Sequence, residues 1–323
     1  MKTSWMIPTY NDPLGAVRQV IRTLWDGANL DCMLLPLNGK SETPGPEIIA
    51  DPELIQAFNP FTPLMPFNGA QMIPELINQG EHTAAVLRPC ELRTLRAMEA
   101  HGRLKTEKLI TVCVDCLGTL PADEFTWRAQ RKGSPKGLAQ EALQFAPQGG
   151  IIPYRYRAAC QICESAQALE ADINLGVIGM PVRQYLLLKI KNTVLAQYFQ
   201  GSEQIPLDEI LVAQHQRVTA RLAERGQSTR SRLFRGLEGS LPADIDHLVE
   251  PLQNCDDCRS CLEVCPICTS DYPQRDSEGN YVREDVMSWL VSCSGCGMCE
   301  QACPKHLPLT IIFGHIQAQL AEI

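Results

Sequence analysis

Eight of the fifteen cysteines lie near the carboxyl end of the chain, in two runs with the same spacing. Each run follows the pattern C-x₂-C-x₂-C-x₃-C-P, which is typical of proteins that bind two iron–sulfur clusters. The first three thiolates of such a run can hold three corners of one cube-shaped cluster, whereas the fourth ligates the other cluster. The spacing therefore predicts two [4Fe–4S] sites, one formed by Cys255, Cys258, Cys261 and Cys303 and the other by Cys293, Cys296, Cys299 and Cys265.

Disulfide bonds and zinc sites are the alternative uses of such cysteines. Zinc sites use paired C-x₂₋₄-C units, not two runs of four cysteines that each end before a proline. An odd number of cysteines in a chain of 323 residues also differs from a small disulfide scaffold. Iron–sulfur ligation in a reducing compartment explains the cysteines better, so we expect a cytoplasmic protein.

Further cysteines follow predicted strands in the amino-terminal part of the chain. The candidates for a third cluster are Cys90, Cys116, Cys160 and Cys163. Because the carboxyl ends of parallel strands meet at one edge of a sheet, four thiolates could converge there. Cys113 is expected within a strand, which makes it the weaker candidate. Unrelated buried thiols are the alternative, and spacing alone leaves both open.

Apolar periodicity predicts an α/β amino-terminal domain and a mainly helical ferredoxin-type module, a fold class of α/β or α+β. The predicted strands are residues 31–36, 83–87, 109–114, 151–158, 172–178 and 185–190. The predicted helices are residues 14–24 with Gly27 at the end, 71–78, 90–101, 206–226, 284–291 and a closing helix after Pro308. Residues 40–70 are expected to be irregular and residues 120–150 to form a solvated loop. We place the domains at residues 1–190 and 251–323, with a helical bridge at 191–250.

Composition and motifs exclude several functions. The formal charge of −8 disfavours a nucleic-acid partner, and no apolar run has the roughly 18 residues that a membrane helix needs. The first residues lack the apolar region of a secretory signal. The sequence contains no G-x-G-x-x-G fingerprint, P-loop or H-E-x-x-H motif. We therefore expect no direct membrane span, no nicotinamide fold and no zinc hydrolase.

The amino-terminal part resembles the beta subunits of deazaflavin-reducing hydrogenases and formate dehydrogenases. The resemblance covers roughly residues 10–185 and the cluster module. It is carried by the opening at residues 12–36, Arg88-Pro89-Cys90-Glu91, Val114-Asp115-Cys116, and Cys160-x-x-Cys163 followed by Ala171-Asp172-Ile173. The resemblance implies an iron–sulfur flavoprotein that binds FAD beside a [4Fe–4S] cluster in the domain at 1–190. It also implies a larger catalytic partner and a two-electron carrier, which is coenzyme F-420 in typical members.

Two positions depart from the family pattern. The family often has Ser-Gly-Gly at the first helix, where this chain has Asp12-Pro-Leu-Gly15. The family's Gly-x-Pro-Cys-Gln appears here as Leu87-Arg88-Pro89-Cys90-Glu91. The candidate flavin contacts are Gly15, Asn68, Gly69, Arg88, Gly118 and Thr119. A turn or a helix cap explains each of them at least as well.

The resulting hypothesis is a subunit that moves electrons between a two-electron carrier at FAD and a catalytic partner, through the clusters. It requires no side chain to act as an acid or a base on a substrate. The alternatives are a flavin-free relay with several clusters, or a flavin subunit that uses NAD(P)H or ferredoxin instead of the deazaflavin.

Overall fold

The computed structural model describes residues 3–38, 43–102, 104–150, 155–168, 170–191, 193–203, 205–236, 258–268, 277 and 282–320. Its described strands form a seven-stranded sheet in the order β1-β7-β6-β5-β4-β2-β3. They are β1 (Thr3–Pro8), β2 (Cys32–Leu37), β3 (Gly45–Ile49), β4 (Thr83–Leu87), β5 (Leu109–Val114), β6 (Ile173–Gly176) and β7 (Tyr185–Ile190).

The described helices lie around this sheet and in the carboxyl-terminal part. The first eight are α1 (Pro13–Ala28), α2 (Ile73–Gln79), α3 (Pro89–Ala100), α4 (Ala122–Arg131), α5 (Pro135–Phe145), α6 (Ala158–Gln161), α7 (Thr193–Gln197) and α8 (Glu209–Gly236). The others are α9 (Ser260–Glu263), α10 (Arg283–Val291), α11 (Met298–Ala302) and α12 (Leu309–Leu320). Within the described residues, no helix is long and apolar enough to cross a membrane.

The centre of the sheet is parallel, and its edges are antiparallel. Strands β2, β4, β5 and β6 run in the same direction, whereas β3 and β7 run against their neighbours. All residues of β4 and β6 are buried, as expected for strands that are covered on both faces. The parallel strands therefore bring their carboxyl ends to one edge, where the predicted cysteines follow.

Apolar side chains fill a layer on each face of the sheet. One layer includes residues of α1, α5 and α8, such as Leu24, Leu138 and Leu222. The other includes residues of α2 and α3, such as Leu76 and Leu95. A separate apolar cluster in the carboxyl-terminal part is formed by Val286, Leu290, Leu309, Ile312, Phe313 and Ile316. The closing helix α12 thus packs against α10.

Several local predictions were wrong. Helix α1 continues past Gly27, whose Cα faces Tyr198 so closely that an added Cβ would lie 2.6 Å from that side chain. The helix ends at Asn29, which has a left-handed backbone with φ 47°. Residues 120–150, expected to be a loop, form α4 and α5 because Phe125 and Leu143 face the core while the abundant charges face outward.

Two more corrections concern strands. The segment at 40–70 contains β3, which pairs with β2. Of the strand predicted at residues 151–158, residues 151–154 lie outside the described part. The remaining residues are not a strand, since Ala158 opens the short helix α6 that carries Cys160.

A buried carboxylate anchors the end of β5. Asp115 accepts hydrogen bonds from the backbone N–H groups of Ala168 (2.8 Å), Val177 (2.9 Å) and Ile178 (3.1 Å). Nδ1 of the buried His215 in α8 lies 3.7 Å from its Oδ2 atom. The carboxylate thereby joins the ends of β5 and β6 to α8.

Replacing this carboxylate tests its role. We expect Asp115→Ala to lower the free energy of unfolding by about 3–5 kcal/mol, because it leaves the three buried backbone N–H groups of Ala168, Val177 and Ile178 without an acceptor. Urea unfolding monitored by circular dichroism gives the value. Asp26→Ala, which removes an exposed partner of Arg22, serves as the control and should cost less than about 1 kcal/mol. Equal effects of the two substitutions would contradict the anchoring role.

Candidate functional site

Five cysteines line one cavity at the carboxyl edge of the sheet. Its volume is about 50 Å³, and its cysteines are Cys90, Cys116, Cys160, Cys163 and Cys296. The thiol of Cys116 interacts electrostatically with Cys160 and Cys163, and that of Cys90 interacts with Cys116. The structure therefore brings together all four cysteines of the predicted third set.

Local backbone structure explains how these thiols meet. Pro89 starts α3, so Cys90 lies in the first turn of that helix. The N–H of Cys116 donates to the carbonyl of Ala166 (2.8 Å), which fixes the chain as it leaves β5. Cys160 lies in α6, and Cys163 comes two residues after the end of that helix.

Cys113 occupies a different environment from Cys116. It is fully buried within β5 and belongs to the apolar layer between the sheet and α3. It is not among the residues that line the cavity. The geometry therefore favours Cys116 over Cys113 as the ligand from this strand.

The second carboxyl-terminal run is assembled with one cysteine of the first run. Cys265 interacts electrostatically with Cys293, Cys296 and Cys299. This is the neighbourhood that cross-ligation requires, and ligation itself stays a prediction. Of the other predicted set, Cys258, Cys261 and Cys303 are described, and Cys255 lies outside the described residues.

The two runs share a backbone feature. Arg259 follows Cys258, and Gly297 follows Cys296, at matching positions of the two runs. Both residues have a left-handed backbone, with φ of 60° and 70°. Each precedes a short helix, α9 or α11, that carries the third cysteine of its run. The two runs therefore use the same turn to direct their cysteines.

A close contact joins the second run to the amino-terminal part. A Cβ added to Gly297 would lie 2.5 Å from the Cβ of Ala159 in α6. Beside this contact, Thr94 Oγ1 and Ser294 Oγ are hydrogen-bonded at 2.7 Å. The contact places Cys296 beside Cys90, and the two thiols interact electrostatically.

The unpaired hydroxyl of Thr310 provides a test of whether a cluster fits. This buried Oγ1 atom has no hydrogen-bond partner among the described residues. Thr310 lines a cavity of about 220 Å³ together with Cys163, Cys293 and Cys299. A buried hydroxyl without a partner is costly, and the sulfur atoms of a cluster held by Cys293 and Cys299 would supply an acceptor. The residues present thus fit an iron–sulfur group.

A single metal ion fits less well. In the described ranges, no three side chains of His, Cys, Asp or Glu are grouped closely enough to hold one metal ion. A [4Fe–4S] cube instead takes one thiolate at each of four iron atoms. Its ligands are therefore spread more widely than those of one zinc ion.

Burial controls the ionisation of most of these thiols. It raises the pKa of Cys116 to about 12, with the charge of Cys160 adding to the effect. It likewise raises the pKa of Cys293 to about 12, together with the charge of Cys296. Because metal ligation requires the thiolate, binding of iron at these positions would be coupled to the release of protons.

Cys160 is the exception among the buried cysteines of this site. Burial opposes its ionisation, but the charge of Arg157 and the hydrogen bonds from Thr119 outweigh it, so the pKa of Cys160 is lowered. The Thr119 Oγ1 and Cys160 Sγ atoms are 3.2 Å apart. The site therefore favours a thiolate at Cys160.

Five of the six candidate flavin contacts lie around the cysteine sites and are engaged by other residues. Arg88 donates to the carbonyls of Thr62 (3.2 Å) and Leu64 (2.7 Å). Gly69 N–H donates to Glu91 (3.0 Å). The remaining three are placed as follows: Asn68 donates to Thr94, Gly118 lines the cysteine cavity, and Thr119 contacts Cys160.

Gly15 lies apart from the other five. It lines a cavity of about 300 Å³ beside β1 and α1, to which Asp12 and Glu203 also contribute. None of the other candidate flavin contacts lines it, and its described lining contains no Lys or Arg. Two carboxylates without a cation disfavour the diphosphate of FAD. The six candidates thus lie at two separate places in the described structure, and FAD binding stays a prediction.

The sequence prediction missed Arg93, Arg157 and Thr310. Arg93 stands three residues after Cys90, and Arg157 three residues before Cys160. Residues three apart on a helix or at its start share a face, and this spacing was the available signal for the arginines. Nothing in the sequence indicates Thr310, since its hydroxyl gains its place only through the packing of α12.

Two comparisons with known proteins bear on this arrangement. Residues 254–307 match the family model described as a 4Fe-4S dicluster domain. A chain of the F420-reducing [NiFe] hydrogenase complex from Methanosarcina barkeri aligns with a TM-score of 0.52 and 14% sequence identity, over 72% of this chain and 91% of that chain. At this identity the likeness shows a shared fold. The predicted fold class, an α/β part followed by a carboxyl-terminal ferredoxin-type 4Fe-4S domain, is confirmed, and iron–sulfur clusters are supported.

Iron content distinguishes the possible ligand sets. We expect about twelve iron atoms per chain from three clusters, and about eight in Cys116→Ala. Cys113→Ala is the matched control, because it removes a thiol from the same strand region outside the cavity, and it should retain about twelve. Iron and acid-labile sulfide assays on anaerobically purified protein provide the measurement. Loss of iron in Cys113→Ala alone would contradict the choice of Cys116 as the ligand. About eight iron atoms in the unchanged chain would contradict the third site itself.

Proposed function

We propose that this chain is an iron–sulfur flavoprotein subunit of an oxidoreductase complex. In this proposal it moves electrons between a two-electron carrier, coenzyme F-420 or a similar molecule, at FAD and a catalytic partner of the formate dehydrogenase or hydrogenase type. Bound clusters would supply one-electron exchange, and FAD would connect this exchange to a two-electron carrier. The observation that carries the electron-relay part of the proposal is the position of Cys296, which lines the same cavity as Cys90 and Cys160.

The residues of this chain hold the two sites in a fixed relation. Arg93 reaches from α3 to the carbonyl of Ser294, at 3.3 Å from Nη2. Arg230 of α8 donates to the carbonyl of Gly314 in α12 at 3.1 Å. Together with the contact at Gly297, these bonds keep the dicluster domain against the carboxyl edge of the sheet. A short and fixed separation is what electron exchange between neighbouring clusters requires.

The partner and the carrier are supported by the sequence resemblance and by the fold. One solved structure with a similar fold is a chain of a complex that is named for reducing F420. The opening helix and the cysteines at strand ends are the parts of this chain that carry the resemblance. On this basis we place the chain in a hetero-oligomeric complex with a catalytic subunit.

A flavin-free relay with several clusters is the second candidate. It is favoured by the contacts of Arg88, Asn68 and Thr119, which hold neighbouring protein groups instead of facing a flavin-sized cavity. In that case the α/β part would hold the third cluster and dock partners. The carrier could also be NAD(P)H or ferredoxin with the flavin retained.

Flavin content separates the first two candidates. Acid precipitation of fully iron-loaded protein should release about one FAD per chain, read by absorbance and fluorescence. Absence of flavin from such a sample would leave the flavin-free relay. The carrier is then identified with the copurified complex and its partner's donor: reduction of coenzyme F-420 is expected, whereas turnover with NAD(P)H alone would point to the other carrier.

A variant without the third cluster tests the electron path. We expect Cys116→Ala to retain the dicluster domain, whose clusters dithionite still reduces, but to lose electron exchange between the carrier and the catalytic partner. Cys113→Ala should keep both properties. Stopped-flow absorbance and steady-state turnover of the purified complex provide the two readouts. Unchanged turnover in an iron-depleted Cys116→Ala complex would show that the third site lies off the path.

A further inference from the structure

Arg157 lies between the two cysteine sites and contacts residues on both sides. On the amino-terminal side, Nε donates to Thr119 Oγ1 at 2.8 Å, and Nη2 lies 3.9 Å from Cys160 Sγ. On the side of the dicluster domain, Nη1 donates to Gln301 Oε1 at 3.2 Å and lies 3.1 Å from Met298 Sδ. The guanidinium therefore spans the contact between the two parts.

This cation is buried without a carboxylate. Arg157 is 7% exposed, and in the described part of the chain no carboxylate lies within ion-pair distance of it. Apart from Cys160 Sγ, its hydrogen-bond acceptors are a hydroxyl, an amide and two thioethers, which carry no net charge. A buried charge is costly unless an opposite charge compensates it. The structure thus calls for an anion at this place.

The neighbouring groups that become anions when they bind iron are the cysteine thiols. Burial lowers the pKa of Arg157, but the charges of Cys160, Cys90 and Cys296 outweigh burial and raise it. Cys90 and Cys160 belong to the predicted third set, whereas Cys296 belongs to the second carboxyl-terminal set. One guanidinium therefore faces ligands of two different sites.

We propose that Arg157 is the shared counter-charge of these two cluster sites and raises the reduction potential of both. The inference rests on the proposed clusters. A nearby fixed cation favours the more negative, reduced state of a cluster, since net charge and hydrogen bonds to sulfur set its potential. Arginine keeps its proton at all relevant pH values.

Sharing the cation also affects exchange between the sites. When one electron leaves one site and enters the other, one site is oxidised and the other is reduced by the same charge. The total charge next to Arg157 is then unchanged, and no proton needs to accompany the electron. A shared arginine thus suits sites that exchange single electrons with each other.

The test compares two arginines two residues apart in the sequence. Arg157→Gln removes the shared charge and keeps a hydrogen-bonding side chain, while Arg155→Gln removes the charge of a more exposed arginine that pairs with Glu124. Redox titration monitored by electron paramagnetic resonance gives the potentials, with Cys116→Ala identifying the signal of the third site. In Arg157→Gln we expect the equilibrium constant for reduction to fall at least tenfold at both sites, a shift of about −59 mV for a one-electron couple.

The other signals serve as controls. The potential of the cluster at Cys258, Cys261 and Cys303 should shift less than those of the two neighbouring sites, and Arg155→Gln should leave all potentials unchanged. Unshifted potentials in an iron-loaded Arg157→Gln chain would overturn the inference. The proposed clusters would still stand in that case, whereas about eight iron atoms in the unchanged chain would remove the third cluster itself.

A charge-preserving variant decides the case in which Arg157→Gln fails to load iron. If Arg157→Lys loads iron and keeps its potentials closer to those of the unchanged chain, the positive charge is the property that matters. If Arg157→Lys loses iron to the same extent, the hydrogen-bond geometry of the guanidinium is the property that matters. The proposal that Arg157 acts as a counter-charge is then rejected.

Discussion

The contact between Gly297 and Ala159 is the constraint on which the candidate sites depend. The space between them admits no Cβ on Gly297, and the residue before it is Cys296, one of the five cysteines at the cavity. Any side chain at this position would push the dicluster domain away from α6. The contact thus keeps Cys296 of the dicluster domain at the cavity that the amino-terminal cysteines line. An electron path through the chain requires this arrangement.

Charge compensation organises the same region. Asp115 and Cys116 are consecutive, yet Asp115 is held by backbone donors and His215, whereas Cys116 lines the cavity. The carboxylate thereby anchors the turn that presents the thiol. Arg157 lies among the thiols as a buried cation, so positive and negative charges are kept on separate sides of one strand end. Arg157 therefore lies next to Cys160 and does not pair with Asp115.

The sequence predicted those features whose cause is local. Strands β4, β5 and β7 were found because each is a short, mostly apolar run, and the cysteine runs were found because their spacing is itself the chemical requirement. Strand β3 was missed because its residues include Gly45 and Pro46, which do not indicate a strand, and its partner β2 decides its structure. Arg157 could not be assigned a role, since its partners Met65 and Met298 are 92 and 141 residues away.

The candidate flavin contacts show a limit of motif reasoning that has a physical cause. Glycines, caps and buried arginines collect where strands end, because the backbone must turn there and leave unpaired N–H and C=O groups. A flavin and an iron–sulfur cluster at the same edge need similar turns. Asn68, Gly118 and Thr119 match the expectation for a flavin, but their contacts lie with the cysteines. Turn and capping residues at strand ends thus indicate that a ligand binds at this edge of the sheet. Which ligand binds there depends on the thiols and charged groups that lie close together at the edge.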